Sequence, residues 1–173
     1  MPDRDLTISW CGDIERAGEL AAFFAGHVGP AYVSHSELQG GRALGPGRWR
    51  DDLPAVLEAE LRARLRQAGV GAPGRSGQAV LVAELDGELV GLSIVTFAGQ
   101  APVPFAVVED MIVSPAMRSR GIGKAMLDWI ATEARSRTIA RLFLESGIDN
   151  KRAHHLFEQE GFRTVSVVMM RSL

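Results

Sequence analysis

The sequence predicts a mixed α/β fold on a mostly antiparallel sheet with one parallel crossover. Three observations carry this: an Asp86-Gly87 pair between two strand-like runs, a strand-helix-strand order from residue 105 to 145, and Gly161 closing the last helical pattern. In chain order, Leu6, Ile8 and Trp10 alternate as a short strand. Asp13 then caps a helix whose apolar positions, Ile14, Ala17, Ala21 and Phe24, recur at helical spacing. Residues 26–50 are glycine-rich with little periodicity, which predicts a long loop broken by one turn of helix near Glu37. Asp52 as cap and Pro54 in the first turn open a second helix, with Leu53, Val56, Leu57, Leu61 and Leu65 on one face. Three arginines on its other face are expected to be solvated.

A Gly/Pro-rich break covers residues 69–77, after which residues 78–85 and 88–97 form the hairpin around Asp86-Gly87. Phe105–Val113 reads as a strand buried on both faces, although it carries Glu109 and Asp110. Pro115 stops it, a helix from Gly121 to Arg135 turns Ile122, Met126, Trp129 and Ile130 inward, and Arg141–Glu145 returns as a short strand. A helix from Asn150 to Glu160 follows. Phe162–Arg171, rich in Val and Met, is expected to close the sheet as a last strand whose exposed edge a second copy of the chain could pair.

Composition bounds the function. A chain of 173 residues fits one domain, 1–173, and its 46% hydrophobic and 23% charged content excludes a disordered or fibrous chain. The net charge of −2 argues against a general grip on nucleic acid or an anionic membrane, so any anion site must be local. Cys11 is the only cysteine, which excludes an intrachain disulfide and fits a cytoplasmic location. His27 and His35, with Glu37 nearby, lack a third ligand at a recognisable spacing, so no metal is expected. No apolar run approaches the roughly 20 residues of a membrane span.

The most informative segment is Arg118-Ser119-Arg120-Gly121-Ile122-Gly123-Lys124-Ala125, between a strand and an amphipathic helix. Glycines let a backbone approach a ligand, the first-turn N–H groups are free, and the helix dipole adds about half a positive charge, a setting suited to a diphosphate. A turn that merely docks the helix on the sheet would use the same glycines. Met126 stands where a dinucleotide fingerprint has its third glycine, and no P-loop Gly-Lys-Ser/Thr ending is present.

On these residues the sequence resembles the GCN5-related N-acetyltransferase family. Arg118, Gly121 and Gly123 match its Arg/Gln-x-x-Gly-x-Gly/Ala motif. Glu109-Asp110-Met111-Ile112-Val113 is similar to its approach strand, and Asn150-x-x-Ala153-x-x-Leu156-Phe157-x-x-x-Gly161-Phe162 to its C-terminal motif. The resemblance covers residues 78–173, the acetyl-CoA-binding core. Residues 26–77 are the variable, acceptor-side region, where only the order of elements fits. It implies a GNAT-like acyl-CoA N-acyltransferase fold, acetyl-CoA as cosubstrate, and an acetyl group moved to a primary amine of a small molecule or peptide by direct attack in a ternary complex. It further implies that residues 118–125 bind the diphosphate, and that the pantetheine arm lies beside Met111 and Val113, near Asn150 and Phe157. A main-chain N–H near Val113 would polarise the thioester, worth roughly 3 kcal/mol in such a hole.

An amine with a reference pKa near 10.4 must lose a proton before it attacks. Strand alternation places Glu109 on the face of Val107, Met111 and Val113, as a base or a substrate-orienting carboxylate, and turns Asp110 to the opposite face, toward an arginine or a backbone donor. Relatives carry a tyrosine acid in the C-terminal helix, where this chain has Phe157, while His154 and His155 point elsewhere on the helix. Tyr32, the only tyrosine, and Glu37 are expected to contact the acceptor. The competing reading is a non-catalytic acyl-CoA-binding or regulatory domain on the same fold, for which Phe157 argues.

Overall fold

In chain order the elements are β1 (Leu6–Cys11), α1 (Ala17–His27), α2 (His35–Gln39), β2 (Ala43–Gly45), β3 (Arg48–Trp49), α3 (Leu53–Ala68), β4 (Ser76–Leu85), β5 (Glu88–Ala98), β6 (Phe105–Val113), α4 (Ile122–Ser136), β7 (Arg141–Leu144) and α5 (Lys151–Gln159). The computed structural model describes residues 5–68 and 74–173. Met1–Arg4 and residues 69–73 of the predicted break therefore lie outside the described residues.

The main sheet runs β1-β4-β5-β6-β7. All its pairs are antiparallel except β6 with β7, which is the predicted crossover. Asp86 and Gly87 join β4 to β5 with φ of 54° and 83°, the left-handed pair that a two-residue hairpin requires. Helices α1 and α3 cover one face, where Leu20, Phe24, Leu57 and Leu61 pack on Val80, Val82, Leu92 and Ile94. On the other face α4 packs Met126 and Ile130 against Leu81, Val95, Phe97 and Val108. The loop after α1 holds the expected helical turn, α2, and also a small hairpin, β2 with β3, that the sequence did not announce.

Residues 162–173 form no strand, which corrects the expected last strand. Val and Met favour a strand only where a partner edge accepts the ladder. β7 offers four residues, and no described strand pairs with its outer edge. Val165, Val167, Val168, Met169 and Met170 accordingly stay more than half exposed.

β6 is not buried throughout, because every second residue is only half-buried. Its register against β5 slips once: Asp110 opposes Ile94 and Val108 opposes Val95, leaving Glu109 as the extra residue of a β-bulge. A bulge reverses which face the alternation reads. Ala106 and Val108 pack under α4, whereas Ile112, beyond the bulge, packs under α1 and α3. Glu109 and Asp110 both reach toward the α1/α3 side, so the expected placement of Glu109 with Met111 and Val113, opposite Asp110, does not hold.

Each carboxylate meets an arginine. Arg42 donates to Asp110 Oδ2 at 2.8 Å, and the two residues are 7% and 2% exposed. Its other guanidinium edge donates to Glu60 of α3. Arg64 donates to the same Glu60 oxygen at 3.2 Å and to Glu109 Oε2 at 3.3 Å, while Thr96 donates to Glu109 Oε1 at 2.5 Å. Charges thus alternate along Asp110, Arg42, Glu60, Arg64 and Glu109. The arginine face of α3 is not simply solvated: Arg64 is drawn inward by Glu109.

Asp110→Asn leaves Arg42 without its buried partner and is expected to cost about 3 kcal/mol, measured by urea unfolding. Burial works to raise the Glu60 pKa, but hydrogen bonds and charge from Arg42, then Arg64, hold it below the ordinary carboxylate value. A carboxylate with a lowered folded-state pKa stabilises the fold above its unfolded pKa, about 4.3, and loses that contribution as pH falls through the folded value. Thermal melts from pH 6 to pH 3 are therefore expected to fall more steeply for the wild-type chain than for Glu60→Gln.

Candidate active site

β6 and β7 pair only from Phe105 with Arg141 to Val108 with Leu144, and then part. A cleft of about 530 Å³ opens there, running from the start of α4 past β6 to the segment after α1. Strand N–H groups point alternately to the two sides. Ser114 N–H bonds back to Val90 of β5, so Met111 and Val113 direct theirs into the gap.

At one end Gly121 caps α4 with a φ of 81° and open space around its Cα, and no side chain caps the helix. Its first-turn N–H groups remain available to an anion. Gly123 serves a different need: a Cβ there would lie 3.1 Å from Leu156 of α5, so its smallness lets α5 close over the cleft. Arg118, Ser119, Gly121, Ile122, Gly123 and Lys124 line this end, whereas Arg120 does not. Ala125 also stands outside, its N–H bonded to Gly121 O at 2.9 Å. Arg118 makes no ion pair among the described residues, Ser119 accepts from Arg152 at 2.8 Å, and Lys124 is paired with Asp128 and Glu160. Asn150 precedes α5 without capping it through its side chain, and both Asn150 and Phe157 line the cleft. A main-chain anion site, one unpaired guanidinium and an uncommitted amide fit a diphosphate followed by an amide-bearing arm.

At the other end the structure gathers Tyr32, Glu37, Glu109 and Glu145. Tyr32 donates to Asp110 Oδ1 at 3.1 Å and accepts the Met111 N–H at 3.0 Å. Burial, then the Asp110 charge, push its pKa well above the ordinary phenol value, so it stays protonated. Glu37 is 2% exposed and accepts from both N and Oγ of Ser34, closing a capping box on α2 instead of presenting a free carboxylate. Trp49 donates to Gly29 O and Asp52 binds Arg50, so neither faces the cleft. Sequence reasoning did not single out Arg42 or Glu145. Glu145 accepts from Ser36 Oγ and lies 3.5 Å from His35 Nε2. Among the described residues no group of three or more His, Cys, Asp or Glu is placed to hold a metal.

The sequence profile of the Acetyltransferase (GNAT) family matches residues 47–162. No curated protein sequence is significantly similar to the chain. Among solved structures, ribosomal-protein-alanine N-acetyltransferase from Brucella melitensis biovar Abortus 2308 superposes with a TM-score of 0.64 at 20% identity, covering 97% of this chain and 100% of that one. Aminoglycoside N-acetyltransferase AAC(6')-Iy in complex with CoA gives 0.67 at 14% identity, covering 100% and 98%. A predicted acetyltransferase with acetyl-CoA from Clostridium acetobutylicum gives 0.65 at 15% identity, covering 97% and 96%. With the family motif set on an open helix N-terminus beside two parting strands, and the profile spanning most of the described sheet, the chain belongs to the GNAT acetyltransferase family.

Proposed function

We propose that the chain is an acetyl-CoA-dependent N-acetyltransferase acting on a primary amine of a small molecule or peptide, by direct attack in a ternary complex. The supporting observation is the continuity of one cleft from the uncapped start of α4 to a group of carboxylates. The diphosphate binds the first-turn N–H groups of α4, with Arg118 as its nearest unpaired cation. The arm lies along Met111 and Val113, facing Asn150 and Phe157. Residues 26–77 supply the acceptor side, where His27 Nδ1 and Ser146 Oγ are buried without a partner among the described residues and line the cleft. Such orphaned groups suit a polar substrate that completes their hydrogen bonds. The acceptors named for two structural neighbours, an aminoglycoside and a ribosomal-protein alanine, span the small-molecule and peptide classes.

In this reading the amine nitrogen attacks the thioester carbon, the Val113 N–H holds the developing oxyanion, and the carbon–sulfur bond breaks. Glu109 takes the amine proton, directly or through a water, while Arg64 and Thr96 fix its carboxylate. Phe157 donates nothing, but a thiol with a pKa of about 8.5 leaves as thiolate and takes its proton from water. Glu145, 38% exposed at the mouth, attracts a cationic acceptor. Among the described residues no helix is long and apolar enough to cross a membrane. A cytoplasmic location, and a homodimer through the exposed residues 165–170 and the free edge of β7, complete the proposal.

Release of CoA thiol on adding a panel of amines is the primary test. Binding of CoA with no thiol released by any amine would identify a non-catalytic acyl-CoA-binding domain instead. Glu109→Gln is expected to lower kcat by about 10² with acetyl-CoA affinity nearly intact. A rate unchanged across pH removes Glu109 from the mechanism. Arg118→Ala is expected to weaken CoA about tenfold by calorimetry, in line with loss of one charge-assisted hydrogen bond.

A further inference from the structure

The charges that line the cleft are sorted between its two ends, and the sorting bears on what an acceptor carries besides its reactive amine. Among the described residues, every lysine and arginine of the lining belongs to the α4 end. Arg118 and Lys124 flank the glycine turn, and Arg152 donates to Ser119 at 2.8 Å. The carboxylates of the lining, Glu37, Glu109 and Glu145, all stand toward the other end. Glu109 and Glu145 directly follow the last ladder pair, Val108 with Leu144, so they begin the two walls of the fork where β6 and β7 part.

The three carboxylates are not equally satisfied. Glu109 is offset by Arg64 at 3.3 Å. Glu37 is buried and accepts only from Ser34 among the described residues. Glu145 accepts from Ser36 Oγ and lies 3.5 Å from His35 Nε2, with no arginine or lysine against it among the described residues. Its two oxygens offer about four acceptor sites, so it has capacity left for an ammonium group. Beside it Ser146 Oγ is buried without a partner, as is His27 Nδ1 at the end of α1, and both residues line the cleft. An acceptor with a carboxylate next to its amine would add a negative charge where no arginine or lysine lines the cleft, and like charges brought together cost affinity. An acceptor with a second ammonium group supplies the cation that Glu145 lacks.

Resting on the acyl-CoA reading of the cleft, we infer that the acceptor is a di- or polyamine without a carboxylate beside its amines, its second ammonium held by Glu145. The first amine loses its proton and attacks the thioester, whereas the second, with a reference pKa near 10.4, keeps its proton and stays charged. Glu145 is in this role a specificity-determining residue, separate from the proton transfer assigned to Glu109. Free amino acids are excluded as acceptors.

Thiol release from acetyl-CoA by the full chain, measured with four amines, tests this. Putrescine and spermidine carry a second ammonium, n-pentylamine has a methyl group in place of one ammonium of putrescine, and ornithine is putrescine with a carboxylate beside one amine. Putrescine is expected to exceed n-pentylamine in kcat/KM by about fivefold, the upper range of a partly exposed ion pair, and ornithine by at least about tenfold. Added salt is expected to narrow the first ratio. Glu145→Gln, which keeps the shape and can still accept from Ser36, is expected to bring putrescine to within about twofold of n-pentylamine through KM, with CoA binding and a melting curve reporting that it is folded. n-Pentylamine or ornithine used by the wild-type chain as well as putrescine overturns the inference while the acetyltransferase reading stands, and so does thiol release by other amines but by neither putrescine nor spermidine. A ratio unchanged in Glu145→Gln, or an equal fall for both amines, overturns the assignment to Glu145. CoA bound with no thiol released by any amine overturns the acetyltransferase reading and this inference with it.

Discussion

A charged carboxylate buried in the sheet must be neutralised, and much of the segment between α1 and α3 is arranged around that demand. Asp110 is 2% exposed, and its partner Arg42 comes from the segment between α2 and β2. The pair ties a stretch without strong periodicity to the middle of β6. Through Glu60 it also fixes the roll of α3, and through the Tyr32 hydroxyl it fixes the segment after α1. The variable half of the chain is thus hung from a carboxylate in the half that carries the family motif.

The bulge at Glu109 makes this arrangement available. One extra residue in β6 brings two successive carboxylates to the same side of the sheet while leaving the next N–H groups aimed into the gap beside β7. An unbulged strand would turn the two carboxylates to opposite faces of the sheet, so that only one of them could meet the arginines on the α1/α3 side. Local irregularity of the backbone, more than any single side chain, brings acid, main-chain donor and cleft together.

Much of the fold could be read in the residues. Alternation gave β1, the Asp86-Gly87 pair gave the hairpin, and Gly121 and Gly161 marked helix ends, because each reports a local backbone preference. The end of the cleft at the start of α4 was legible for the same reason, since a helix start after a glycine turn is a local feature. Three things were not. The bulge depends on register against β5, which no residue of β6 specifies alone. The inward turn of Arg64 depends on Glu109 lying across from it, 45 positions along the chain. The last strand read well by composition but depends on an edge that β7 is too short to provide.

Gly147 joins the two halves in a way that constrains how such a chain can diversify. Backbone oxygens of residues 31 and 33 lie where its side chain would be, so the loop leaving β7 and the loop after α1 can stay in register only while that position remains bare. Change in the loop after α1 is therefore not independent of the loop leaving β7: any side chain acquired at 147 would have to be met by re-routing residues 30–33 at the same time.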